Sequence, residues 1–416
     1  MSEEDKEQSK KVQPMNIVNR FDTVKVIFGN PIKDVGTAMA PLSSCGWIQT
    51  TEGVVLIDSL LTKRWAKQVR ERIKGRIRFI IYTHGHGDHI GGTHIFMNDN
   101  PEVIASKYLP DRLNRYKILA PHRAHISAVQ FNFPEVVQEL DVVYPTKTFL
   151  GDMTIKLGDK TFELHTARAE TDDAVWVYVP ELKAAFIGDL IIRSFPNIGN
   201  PWKPTRFALD WAKELERIRD LEPEYIFYGG GGVMAKGDDV MKALNDNIEV
   251  IKDMYTQVVD YINQGVHITE MIHKVKIPDH LKKSKFLRAS YSRPEFFTFN
   301  VYRWLHGYLD DNPAHLLPRP EKEVMGEINR LIGDSSKILN RANELLDQDQ
   351  AQLGLEILDV LIQAEPDNIE ARKMRIKLLE KIGKDDYCLM SRNAWVYFMN
   401  KDKEFIKPKE KNLKSV

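Results

Sequence analysis

Four side chains that bind cations fall between positions 84 and 89, in the segment THGHGDHIGG: His84, His86, Asp88 and His89. Histidines two apart on an extended segment project to the same side, and Gly85 and Gly87 let the backbone turn so that Asp88 and His89 face an adjacent point. Imidazole and carboxylate together suit a divalent transition metal such as zinc, and one such loop has room for two ions. A cation held there lowers the pKa of a coordinated water from about 15.7 toward about 7 and polarises an ester oxygen. The chemistry to expect is therefore hydrolysis.

The elements that must position this loop are legible on either side of it. RFIIYTH is an apolar strand leading in, and Gly91 and Gly92 permit tight entry into a helix leading out. From about Thr23 to Gly232, short β-branched runs alternate with helical stretches, which predicts a layered α/β domain rich in strands. GWIQTTEGVVLIDS reads as a hairpin whose turn contains Gly53, followed by a helix from about Thr62 to Lys74. Asp58 and the histidine cluster both stand at strand ends, where ligand sites of open α/β sheets gather. After Gly232 the strand signals fade. Val240, Leu244, Ile248, Ile251, Tyr255, Val258 and Ile262 follow steps of three and four, an apolar helical stripe that a second copy of the chain is expected to cover. Beyond LDDNPAHLLPRPE, a helical run from about Lys322 to Gly383 reads as paired antiparallel helices broken at Gln348–Asp349 and Glu365–Asn368. It is similar to a single tetratricopeptide hairpin, too little for a solenoid, and suits a packing or subunit-contact module.

HxHxDH at a strand end resembles the signature of the metallo-β-lactamase superfamily, over roughly residues 23 to 232. Three further segments, ETDDAVWVYVPELKAAFIGDL, FPNIGNPWKPTRFALDWAKELE and RPEFFTFNVYRWLHGYLDDNPAHLLPRP, look like the alkyl-sulfatase-type branch, and carry the resemblance to about residue 385. It implies an αββα sandwich with one or two zinc ions at one edge, followed by an all-α dimerisation domain. The expected division is a flexible tail at 1–14, the metal domain at 15–235, the helical domain at 236–385 and a solvated, mildly basic segment at 386–416.

The resemblance also assigns roles. Asp58 supports the metal loop from behind, Asp189 bridges two metals, and one further ligand is either His165 or Glu170. Asp88 orients the attacking water or accepts its proton. Gly230 stands where most members have a ligating histidine. Asn197, Asn200, Lys203 and Arg206 could receive an anionic ester, with Arg288 and Arg293 beside Tyr291 extending the patch; Phe299 occupies a place where a basic residue is expected. The implied reaction is hydrolysis of an alkyl sulfate or related anionic ester. A lactonase or thioesterase on the same fold is the alternative within enzymes, and a scaffold with a degenerate site, suggested by Gly230, is the alternative outside them.

Composition bounds the remaining classes. The 416 residues carry 59 Lys plus Arg against 59 Asp plus Glu, so no general positive field exists to hold nucleic acid. No apolar run approaches the ~18–20 positions of a bilayer span. MSEEDKEQSKKVQP lacks the apolar core of a secretory signal, and Cys45 and Cys388 cannot make a disulfide framework or a cysteine zinc site. A cytoplasmic homodimer acting on a small anionic ester is the expectation.

Overall fold

Along Gly53–Ile57 the side chains alternate, with Val54 and Leu56 facing one apolar layer and Val55 and Ile57 facing another, all four buried. That alternation, repeated from strand to strand, is what builds a sandwich. The computed structural model describes residues 25–137, 141–227 and 235–414, with side chains to Lys409; the tail at 1–14 and Gly230 lie outside the described residues. Contacts divide the chain into two units, 1–124 with 136–307, and 125–135 with 308–416.

In the first unit, β1 (Ile27–Ile32), β2 (Val35–Ala40), β3 (Ser43–Thr50), β4 (Gly53–Ile57), β5 (Ile77–Ile81), β6 (Glu102–Ser106) and β7 (Lys147–Phe149) lie side by side in that order. They are antiparallel up to β4 and parallel from β4 to β7. β8 (Asp152–Leu157), β9 (Lys160–Ala167), β10 (Ala174–Val179), β11 (Ala184–Phe186), β12 (Tyr225–Phe227) and β13 (Ala235–Lys236) form a second sheet, also in sequence order. Ile48, Val55, Ile57, Ile81 and Ile104 of the first sheet share a core with Phe162, Leu164, Val175, Val177 and Phe186 of the second.

Helices cover the outer faces. α1 (Lys63–Arg72), capped by Thr62 accepting from the Trp65 N–H, puts Trp65, Ala66 and Val69 into the layer beneath the first sheet. The one-turn α2 (Gly87–Ile90) and α3 (Leu109–Ile118) follow β5 and β6, and α4 (Ala120–Phe131) crosses from one unit into the other. Against the second sheet, α5 (Ala208–Asp220) places Trp211, Leu215 and Ile218 among Val240, Leu244, Ile251, Met254 and Val258 of α6 (Asp238–Asn263). The apolar stripe expected to be covered by a second copy is therefore covered by this chain's own α5 and second sheet. α6, α7 (Ile268–Lys274) and α8 (Pro294–His306) cluster with the two sheets in the first unit, which runs to residue 307.

The second unit is helical: α9 (Glu321–Ile332), α10 (Ser335–Asp347), α11 (Ala351–Ala364), α12 (Ile369–Lys384) and α13 (Leu389–Lys414). Asp334 and Asn368 cap α10 and α12 through the N–H groups of Ser336 and Ala371, and the breaks fall where the turn residues predict them. Ile338, Ala342, Leu358, Leu361, Ala371 and Leu378 form its core. Buried Asp402 is matched by Arg372 and Arg375. Cys45 and Cys388 are buried free thiols, and among the described residues no helix is long and apolar enough to cross a membrane.

Candidate metal centre

The chain turns sharply after β4. Asp58 and Leu60 both take the left-handed conformation, with φ of 60° and 66°, and the turn they make receives the segment after β5. Gly91 and Gly92 pass so close to it that a Cβ would lie 2.2 Å from Leu61 O and 2.1 Å from Ser59 O. Buried Asp58 accepts from the Thr83 N–H at 2.8 Å and the Thr83 hydroxyl at 2.7 Å, and from His89 Nδ1 at 2.7 Å. With Nδ1 donating to the carboxylate, His89 Nε2 is turned toward Asp189 Oδ1 at 3.4 Å and Asp88 Oδ2 at 3.6 Å.

Two groups of ligand atoms result, each lying within 4.8 Å of one another: His84, His86, Glu170 and Asp189, and Asp88, His89 and Asp189. His84 Nε2 is 2.8 Å from His86 Nδ1, and each is 3.5 Å from Glu170 Oε2. Asp189 belongs to both groups. His89 Nε2, Glu170 Oε2 and Asp189 Oδ1 are buried without a hydrogen-bond partner. Buried polar atoms are seldom left so; Glu170 belongs to one ligand group, His89 to the other, and Asp189 to both. A nitrogen and oxygen donor set of this kind fits a divalent cation such as zinc.

Burial and the neighbouring charges set the protonation of these groups. Burial, then the neighbouring imidazoles, holds His84 well below its ordinary pKa, and burial lowers His86, so both present neutral rings. Burial pushes Asp189 up to about 7, with Glu170 adding to the rise and His89 opposing it. For His89 burial disfavours the charge, yet Asp189, Asp58 and Asp88 together raise it well above the usual range. Glu170 is buried too, but Arg206 and His86 keep it well below the usual carboxylate range.

Of the two residues left open, Glu170 joins the histidines and His165 does not. His165 sits opposite Trp176 in the β9–β10 ladder, stacks on that indole with centroids 3.9 Å apart, and bonds through Nδ1 to Asp152 at 2.8 Å. The expected substrate contacts also divide. Asn197 Nδ2 donates to Glu170 Oε1 at 2.5 Å and Arg206 lies 3.0 Å from the same oxygen, so both hold the Glu170 carboxylate in place. Asn200 caps its own loop by accepting from the Trp202 N–H. Lys203 stays partly exposed beside these charges; burial first, then Arg206, lowers its ammonium pKa to about 8. Arg288 is exposed, Arg293 pairs with Glu295 at 2.8 Å, and Phe299 is exposed on α8. Burial, followed by the charges of Glu170 and Asp88, raises the phenol pKa of Tyr291. Sequence reasoning missed Thr83, Asp173 and Arg112. Asp173 lies in the ETDD segment, but nothing in the spacing marks Arg112, which stands on a helix beyond the loop.

A two-sheet sandwich flanked by helices, with clustered histidines and acids at its strand ends, defines the class. The sequence model of the metallo-β-lactamase superfamily matches residues 40–230, and that of the alkyl sulfatase dimerisation family matches residues 267–404. The chain thus joins a metallo-β-lactamase-type domain to an alkyl sulfatase dimerisation region. It is 21% identical to a linear primary-alkylsulfatase from Pseudomonas sp. over 367 residues, covering 81% of this chain and 69% of that protein. An (R)-specific secondary-alkylsulfatase from Pseudomonas sp. is 23% identical over 387 residues, covering 84% and 58%. The solved structure of a stereoselective inverting sec-alkylsulfatase from Pseudomonas sp. superposes with a TM-score of 0.82 at 20% identity, over 91% of this chain and 65% of that one. The chain thus spans between about three fifths and two thirds of the length of these relatives.

Proposed function

We propose that the chain is a zinc-dependent hydrolase of alkyl sulfates or closely related anionic esters, working as a dimer. The observation that carries this reading is that two groups of potential metal ligands share Asp189 and contain buried atoms of His89, Glu170 and Asp189 without a hydrogen-bond partner. The names of the relatives support the choice of ester.

His84, His86, Glu170 and Asp189 would hold one ion, and Asp88, His89 and Asp189 a second. When bound, the metal supplies Lewis acidity and makes a water nucleophilic near neutral pH. The protein's own groups do the remainder. Asp58 fixes the His89 ring so that Nε2 faces the centre, and Arg206 with Asn197 keeps Glu170 ionised and pointed. Asp88, only partly buried, orients the attacking water or accepts its proton. Lys203 is a positive group placed to receive the anionic end of a substrate, since Arg206 is committed to Glu170. The second copy is expected to use the helical region matched by the dimerisation family.

Turnover of a primary alkyl sulfate, a lactone and an acyl thioester, each with excess zinc, tests the reading. Sulfate release is expected to be fastest, and Lys203→Gln to raise KM about tenfold while kcat changes little. Brisk lactone or thioester opening without sulfate release would reject the proposed ester.

A further inference from the structure

The peptide joining His84 to His86 is fastened by residues that belong to neither ligand group. Its Gly85 N–H donates to Asp173 Oδ2 at 2.9 Å, and the other oxygen of Asp173 lies 2.6 Å from Arg112 Nε. Arg112, on α3, also pairs with Asp172 and donates to the Tyr116 hydroxyl at 3.0 Å. The Asp173 side chain is 0% exposed and that of Arg112 only 8%. A Cβ on Gly85 would lie 2.5 Å from Leu109 Cδ1, 2.8 Å from Arg112 Cδ and 3.0 Å from Asp173 Oδ2, so helix, acid and loop close around this one peptide. Gly85 does not take a positive φ; what requires glycine here is space.

Burying an ion pair carries a desolvation cost at each charge unless further hydrogen bonds offset it. An apolar contact would join α3 to the loop without that cost. What an apolar contact lacks is a hydrogen-bond acceptor set at a fixed height against the Gly85 N–H. Resting on the metal-centre reading above, we propose that Arg112 and Asp173 are positioning residues that fix the peptide between two metal-binding histidines, so that His84 and His86 present their ring nitrogens to the ion shared with Glu170. The effect is local. Asp88 and His89 ride on α2, which the turn at 58–61 and Asp58 fasten separately. Loss of the brace weakens the His84–His86–Glu170–Asp189 group and spares the Asp88–His89–Asp189 group.

The test is titration of zinc, and of cobalt(II) for its visible absorption, into wild-type, Asp173→Asn and Arg112→Lys proteins, with thermal unfolding of each metal-free protein alongside. Glu170→Gln marks which class of site belongs to His84 and His86. Asp173→Asn is expected to weaken that class by roughly 10–100-fold, as changes behind metal ligands do, and to leave the other class unchanged. Arg112→Lys keeps the charge, loses the planar fork, and is expected to lose less. Variants that bind metal as the wild type does, or that weaken both classes in step with lost thermal stability, would overturn the brace. A wild-type protein that takes up no metal would overturn the centre, and the brace with it.

Discussion

Asp189 is the side chain on which the two ligand groups meet, and its titration sets how the centre responds to pH. Its carboxyl is raised to about 7 and the His89 imidazolium also stands above its ordinary value, so near neutrality the metal-free site holds protons that a cation must displace. Acidification favours the protonated, metal-free form, and alkaline pH favours the metal-bound one. Zinc affinity is expected to fall about tenfold between pH 8 and pH 6 through Asp189 alone and further through His89, with proton release visible by calorimetry in buffers of different ionisation enthalpy. An affinity that does not vary with pH in this range would contradict the protonation described for Asp189 and His89.

Strands and helices decide which of these side chains can meet. His84, His86, Asp88 and His89 are legible in the sequence because they share one loop, and their spacing reports their common side. Asp58 is legible as a strand-end acid. The choice between His165 and Glu170 is not, because it depends on the face of β9: Phe162 and Leu164 point between the sheets or along the ladder, while His165 pairs with Trp176 and turns to Asp152. Glu170, past the end of that strand, is free to reach the loop. The support beneath α2 depends on close backbone approach at the turn after β4. Gly92→Ala is therefore expected to destabilise the protein by about 1–3 kcal/mol, because the added Cβ meets Ser59 O at 2.1 Å and Ala66 Cβ at 2.5 Å. Thermal unfolding measures it; a melting temperature equal to the wild type would show that the turn yields without cost.

At the scale of the whole molecule, periodicity reveals a helix's apolar face but not what covers that face. The stripe on α6 looks like an intersubunit surface in sequence and is an internal one in the fold, packed against α5. Exposed apolar residues occur in both units, and in the second Leu317 and Leu331 are each 87% exposed. Leu317→Asp combined with Leu331→Asp is expected to convert a dimer to a monomer by light scattering while metal content is retained. A monomeric wild type would remove the dimer from the account.

The proposed metal centre places a divalent cation among His84, His86, Glu170, Asp189, Asp88 and His89. Elemental analysis of protein purified without added metal, then dialysed against zinc, addresses it most directly. At least one equivalent of zinc per chain is predicted, with a clear loss on His84→Ala and on Asp189→Ala. Less than one equivalent, unaffected by either replacement, would contradict it.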